Sequence, residues 1–220
     1  MKILLIIIFG ILLSLQAKGL SFSNKNTQKK QNALTKYSKS NMILKANQAY
    51  KKGNETDAMI YYEMLLSSGY NNKKRKNNLC YLYGKRGAWF EAKEIIDKER
   101  YQGKLLYAYA YGAVENNQEN YYQNLLPYIM IDRSGLLMLL TAYYFEKKNY
   151  FKKASSFYKM AYNKNPSNLY IMYAYARNID SQKKYKHALL LYKKILRKTD
   201  ISNLLHKTTL LRISQIEGIL

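Results

Sequence analysis

The chain has 220 residues, of which 48% are hydrophobic and 23% charged, with a formal net charge of +23. That apolar content can bury the core of one domain or of a short array of small units. Two prolines and ten glycines are too few for the many tight turns of an all-β protein. Cys80 is the sole cysteine, so no internal disulfide exists and stability rests on packing. It reads as a small buried residue at a close helix contact rather than a reactive thiol.

The first residues, MKILLIIIFGILLSLQAKGL, carry one early lysine, an apolar run from Ile3 to Leu13, and small residues at Ala17 and Gly19. This is the layout of a secretory signal peptide over 1–19, with cleavage after Ala17 or Gly19. The run is shorter than the ~20 residues that span a bilayer, which sets an uncleaved inner-membrane anchor second to an exported, periplasmic location. No cysteine follows it for lipid attachment. Residues 20–37 are polar, lysine-rich and without periodicity, and are expected to form a flexible basic leader.

Charge is unevenly placed beyond that point. Residues 46–146 hold 13 basic and 11 acidic groups, whereas residues 147–220 hold 16 basic and 3 acidic. Such a field attracts polyanions, among them envelope polymers and nucleic acid. The competing reading is compositional: Lys, Asn, Ile and Tyr are all abundant, as in an AT-rich genome, and a lysine-rich surface then needs no ligand.

From residue 38 onward the chain repeats. Shifted by 34 residues, Ala142, Phe151, Ala154 and Tyr158 fall on Ala176, Tyr185, Ala188 and Tyr192, and Ala46, Gly53, Ala58 and Tyr62 fall on Cys80, Gly87, Ala92 and Ile96. A fixed period of this size marks stacked supersecondary units. Small residues on a first helix (Ala46, Cys80, Ala142, Ala176) and on a second (Ala58, Ala92, Ala154, Ala188) let two antiparallel helices approach closely. The large residue four positions later (Tyr62, Ile96, Tyr158, Tyr192) fills the gap toward the neighbouring pair. Turns such as KKGNE and KRGA put glycine where a helix end wants a positive φ. Pro166 ends one second helix.

The stretch YYFEKKNYFKKASSFYKMAYNKNP, with its Ala154, Tyr158, Ala161, Pro166 series, resembles the tetratricopeptide repeat family. The family's Trp and Leu-Gly positions are replaced, as at Met138 and Thr141. The resemblance covers roughly residues 38–200 and implies an all-α solenoid of four to five antiparallel helix pairs. The repeats are placed at about 39–72, 73–102, 103–134, 135–168 and 169–201, with a capping helix in 202–220. The third is shortened and divergent, with Tyr122 near the alanine position and Pro127 expected to kink or delay its second helix.

No catalytic, cofactor or metal-binding constellation is legible. His187 and His206 have no carboxylate or cysteine at ligand or triad spacing, and neither GxGxxG nor GxxxxGK[ST] occurs. Glu91 to Glu99 reads as a solvated helix face interleaved with lysines.

The family binds extended peptides or partner helices in a groove lined by its first helices. Carried over by phase, the resemblance implies groove positions Asn47 and Tyr50 in the first repeat, and Lys74, Asn77 and Tyr81 in the second. Tyr107 and Tyr111 follow in the third, Tyr143 in the fourth, and Tyr170, Tyr173 and Arg177 in the fifth. Tyrosine combines a stiff apolar plate with a polar tip, a combination enriched at binding sites. The candidates for the family's carboxylate clamp, Asn47, Lys74, Asn77 and Arg177, are scattered, and no clamp is expected. The expected function is a non-enzymatic scaffold that holds a protein partner of an envelope assembly. The alternative is electrostatic binding of an anionic envelope polymer through the basic ends, with nucleic acid ranked lower for want of any recognisable module.

Overall fold

A computed structural model describes residues 39–70, 72–99 and 102–219; the expected signal peptide and leader lie outside them. Among the described residues there are 11 helices and no strand. Helices α1 (39–51) and α2 (Glu55–Ser67) belong to one unit. The second unit, Asn72–Leu220, holds the hairpins α3 (Lys73–Arg86) with α4 (Trp89–Asp97) and α5 (Gln102–Glu115) with α6 (Tyr121–Ile131). It continues through α7 (Leu136–Lys147) with α8 (Phe151–Lys164), α9 (Leu169–Ser181) with α10 (Tyr185–Leu196), and the final α11 (Leu204–Glu217).

Asparagine, abundant in this chain, starts helix after helix. The side chains of Asn54, Asn72, Asn168 and Asn203 accept from backbone N–H groups in the first turns of α2, α3, α9 and α11. Ahead of α7, whose N-cap is Gly135, Asp132 Oδ1 accepts from Ser134 N and Oδ2 accepts from Leu137 N, both at 2.9 Å. The hairpin turns share one backbone device. Gly53 and Gly87 have φ of 74° and 71°, and the residues at the same phase two and three repeats on, Asn149 and Lys183, have 62° and 60°. Pro127 lies inside α6, which begins at Tyr121 and continues to Ile131, so of the two expectations, a kink or a late start, the late start is not found.

All eight small positions of the repeat, from Ala46 to Ala188, are 0% exposed, and Tyr62, Ile96, Tyr158 and Tyr192 are 2% exposed or less. In the second unit each hairpin packs on itself, and successive first helices α3, α5, α7 and α9 touch in turn. α11 closes the last hairpin by packing on α10, adding Ile213 and Ile216 to a core with Met172, Ile179, Leu191 and Ile195. Burying these aliphatic side chains contributes roughly 1.5–3 kcal/mol each.

Polar contacts run across the same period. The Tyr158 hydroxyl donates to Glu146, and Glu146 Oε2 pairs with Arg177 Nη2 at 2.9 Å. Thirty-four residues on, the Tyr192 hydroxyl donates to Asp180 Oδ2 at 3.2 Å. Arg212 then grips Asp180 through Nε at 2.6 Å and Nη2 at 2.8 Å. Each trio ties a second helix to its own first helix and to the helix opening the next unit. The C-terminal carbonyls of α5 are also satisfied from the next repeat, Val114 and Glu115 accepting from Lys147 Nζ at 2.9 and 2.8 Å.

Cys80 packs in this interior. Burial pushes its thiol up to about 12, with the Lys76 ammonium pulling it down and Glu99 pushing it up. Lys76 and Glu99 form a nearly buried ion pair between α3 and the end of α4.

Candidate partner-binding face

The side chains on α3, α5, α7 and α9 that do not enter the hairpin cores include a connected row of tyrosines. Tyr107 and Tyr111 lie one turn apart on α5, their rings stacked at 6.5 Å, and Tyr111 stacks in turn on Tyr81 of α3 at 5.9 Å. The Tyr81 hydroxyl donates to Glu115 Oε2 at 2.5 Å, and the Lys85 ammonium sits 5.8 Å from the Tyr81 ring centre. This geometry follows from the helix spacing, since residues four apart share a face and a neighbouring first helix brings the third ring alongside.

Tyr143 of α7 continues the row. Burial raises its phenol above the ordinary tyrosine range, with Arg177 opposing and Glu146, Tyr107 and Tyr173 adding to the rise. Tyr143 is thus within electrostatic reach of Tyr107 on α5 and of Tyr173 on α9. Tyr107 is raised too, by burial first and by Tyr111 second. Both phenols are therefore neutral O–H donors at ordinary pH. The Arg177 guanidinium lies over the Tyr143 ring at 5.4 Å, a cation–π contact.

The remaining expected positions fall less tightly together. Asn77 and Tyr107 line a cleft of about 630 Å³ with Tyr128, Leu137 and Asp132. Lys74 is exposed in the first turn of α3, and Tyr170 is 70% exposed at the start of α9. Asn47 and Tyr50 belong to the first unit, Asn47 exposed and Tyr50 half-buried with its ring 6.1 Å from Tyr62. Tyr173 is half-buried against Tyr192, at 5.8 Å, and packs on the α9–α11 core, so it carries structure as well as surface. Arg177 does not stand as a loose groove cation, because Glu146 engages it.

Three features of this region escape the sequence reading. Glu146 is one acid among many charges, and only its contacts reveal that it organises Tyr158 and Arg177. Gly84 and Gly112 stand outside the alanine phase yet set how closely α3 and α5 cross. The 630 Å³ cleft is lined in part by the α6–α7 connection, where Asp132 accepts from Leu137 N.

Among the described residues, no group of three or more His, Cys, Asp or Glu could hold a metal ion, and no helix is long and apolar enough to cross a membrane. No family model matches the chain, and no curated protein matches it.

Proposed function

We propose that this chain is an exported, periplasmic, tetratricopeptide-like scaffold without catalytic activity, and that it holds a segment of a partner protein of an envelope assembly against the tyrosine row. The observation that carries this reading is the stack Tyr81, Tyr111, Tyr107, whose central ring is 49% exposed although flat aromatic area is costly to leave in water. Neutral phenol tips can donate to backbone carbonyls of an extended segment while the rings cover its side chains. A pull-down of envelope proteins with wild-type chain and with Tyr111→Ala tests it. The variant is expected to lose the captured partner at least tenfold while keeping its helical spectrum, because Tyr111 is half exposed. Unchanged capture would count against the reading.

A second reading, attraction to an anionic envelope polymer, is favoured by one observation: every lysine of α8 and α10 is exposed. It differs in its salt dependence, since affinity carried by charge falls steeply as counterions compete.

A further inference from the structure

A cleft of about 800 Å³ opens among α8, the end of α9 and the start of α10. None of the tyrosines of the row above lines it. Its basic groups are Lys152 and Lys159 of α8, with Lys184 and His187 at the start of α10. Among the described residues neither Lys152 nor Lys159 pairs with a carboxylate, and Lys184 Nζ donates to Gln182 Oε1 at 3.0 Å. The acid on the wall, Glu146, is already engaged by Arg177 and by the Tyr158 hydroxyl. The cleft therefore carries positive charge that its own residues leave unanswered.

Asn178 adds a donor to the same wall. It is 9% exposed and lines the same cleft. Its Oδ1 accepts from Gln182 Nε2 at 3.0 Å, but its carboxamide nitrogen donates to no described residue. That nitrogen is not among the buried unpartnered atoms of the described residues, so solvent reaches it and an acceptor oxygen can take the water's place. The same cleft is lined by the Lys152, Lys159 and Lys184 ammonium groups and by Ser155, whose Oγ accepts from Gln182 Nε2 at 2.9 Å, while the Ser156 hydroxyl donates to Lys152 O at 3.2 Å. Tyr175 and Ile179 add an apolar side.

We propose that this cleft binds a phosphate group carried on a sugar- or polyol-sized moiety. Ammonium and carboxamide donors with the Ser155 hydroxyl, gathered on one cleft from α8, α9 and the start of α10, suit an anion with several acceptor oxygens. The volume exceeds that of a bare ion and falls in the range of small-ligand sites, which leaves room for the carrier against Tyr175 and Ile179. The phosphate can belong to a free metabolite or to one unit of an envelope polymer; both present the same chemistry. The site shares no tyrosine with the partner-binding row, so the two readings stand or fall separately.

The test follows the Asn178 carboxamide signal by ¹H–¹⁵N NMR while the intact chain is titrated with sn-glycerol 3-phosphate, poly(glycerol phosphate), inorganic phosphate or glycerol. The expected result is a saturable shift of that signal with glycerol 3-phosphate, none with glycerol, and at least tenfold weaker binding in the Lys152→Met, Lys159→Met double variant. Both lysines are exposed, so the variant's backbone spectrum should be retained. Tighter binding of the polymer than of the monomer assigns the source to a polymer, and equal binding assigns it to a free metabolite. Inorganic phosphate binding as tightly as glycerol 3-phosphate would remove the carrier from the proposal. An unmoved Asn178 signal, or shifts spread over Lys193 and Lys194 without saturation, would overturn it.

Discussion

Gly84 on α3 and Gly112 on α5 face each other's backbones across the helix crossing. A Cβ at Gly84 would sit 2.0 Å from the Tyr109 carbonyl oxygen, and one at Gly112 would sit 2.1 Å from that of Tyr81. The same close approach brings Tyr81 alongside Tyr111, so these glycines set the spacing of the aromatic stack. Alanine at either position gains helix propensity of about 1 kcal/mol but forces two backbones apart, a cost of roughly 1–3 kcal/mol or more. Gly84→Ala and Gly112→Ala are expected to lower stability by about 2 kcal/mol in urea unfolding. Gly103→Ala, with nothing near its Cβ, is expected to leave stability unchanged or raised.

The Asp180 carboxylate latches the last helix in place. Its side chain is 5% exposed, whereas that of Arg212 is 35% exposed, so solvent weakens the pair from one side. Asp180→Asn removes the charge that both Arg212 and the Tyr192 hydroxyl use. The expected loss is about 2 kcal/mol, below the range for a fully buried pair. Hydrogen exchange should show it locally, with α11 amides exchanging faster while those of α3 and α5 keep their protection.

High pH should unfold the array through its buried phenols. Burial raises Tyr121, Tyr158 and Tyr192 above their ordinary value, and nearby Glu146 and Asp180 push Tyr158 and Tyr192 further. A group raised in the fold stabilises it fully below its unfolded value, about 10 for tyrosine, and that contribution is lost as pH climbs beyond it toward the folded value. Thermal melts are expected to hold up to about pH 10 and to fall steeply above it. Tyr158→Phe, Tyr192→Phe should be less stable at pH 7 by about 1 kcal/mol per lost hydrogen bond, yet show a shallower alkaline fall.

Lys183 occupies the left-handed turn position that glycine holds at Gly53 and Gly87. An L-residue there is strained by roughly 1–2 kcal/mol, part of which glycine gives back through greater unfolded-state entropy. Lys183→Gly is expected to raise stability by about 0.5–1 kcal/mol, read as a higher urea midpoint with an unchanged slope.

The helical architecture was legible because its signal is local and periodic. Small residues 34 apart on paired helices could pack only as hairpins, and Ala46, Cys80, Ala142 and Ala176 indeed lie fully buried. The turn position was legible where glycine held it and obscure where Asn149 and Lys183 did. Contacts between successive repeats left no comparable trace. Glu146 with Arg177 and Asp180 with Arg212 are ordinary charges in a lysine-rich sequence until folding brings them within reach. Asn178 reads as a polar helix residue, and its burial depends on how α8 and α10 close over α9. The tyrosines of the row could be chosen by helical phase, but phase did not separate Tyr111, half exposed, from Tyr173, which leans on Tyr192.

Whether the tyrosine row holds a partner can be read by photo-crosslinking in living cells. A photoreactive residue placed at Tyr111, and separately at Phe90, compares the centre of the tyrosine row with an α4 side chain that is 81% exposed. The expected result is one envelope protein captured from Tyr111 and absent from Phe90. Adducts that are missing from Tyr111, or identical at both positions, would contradict it.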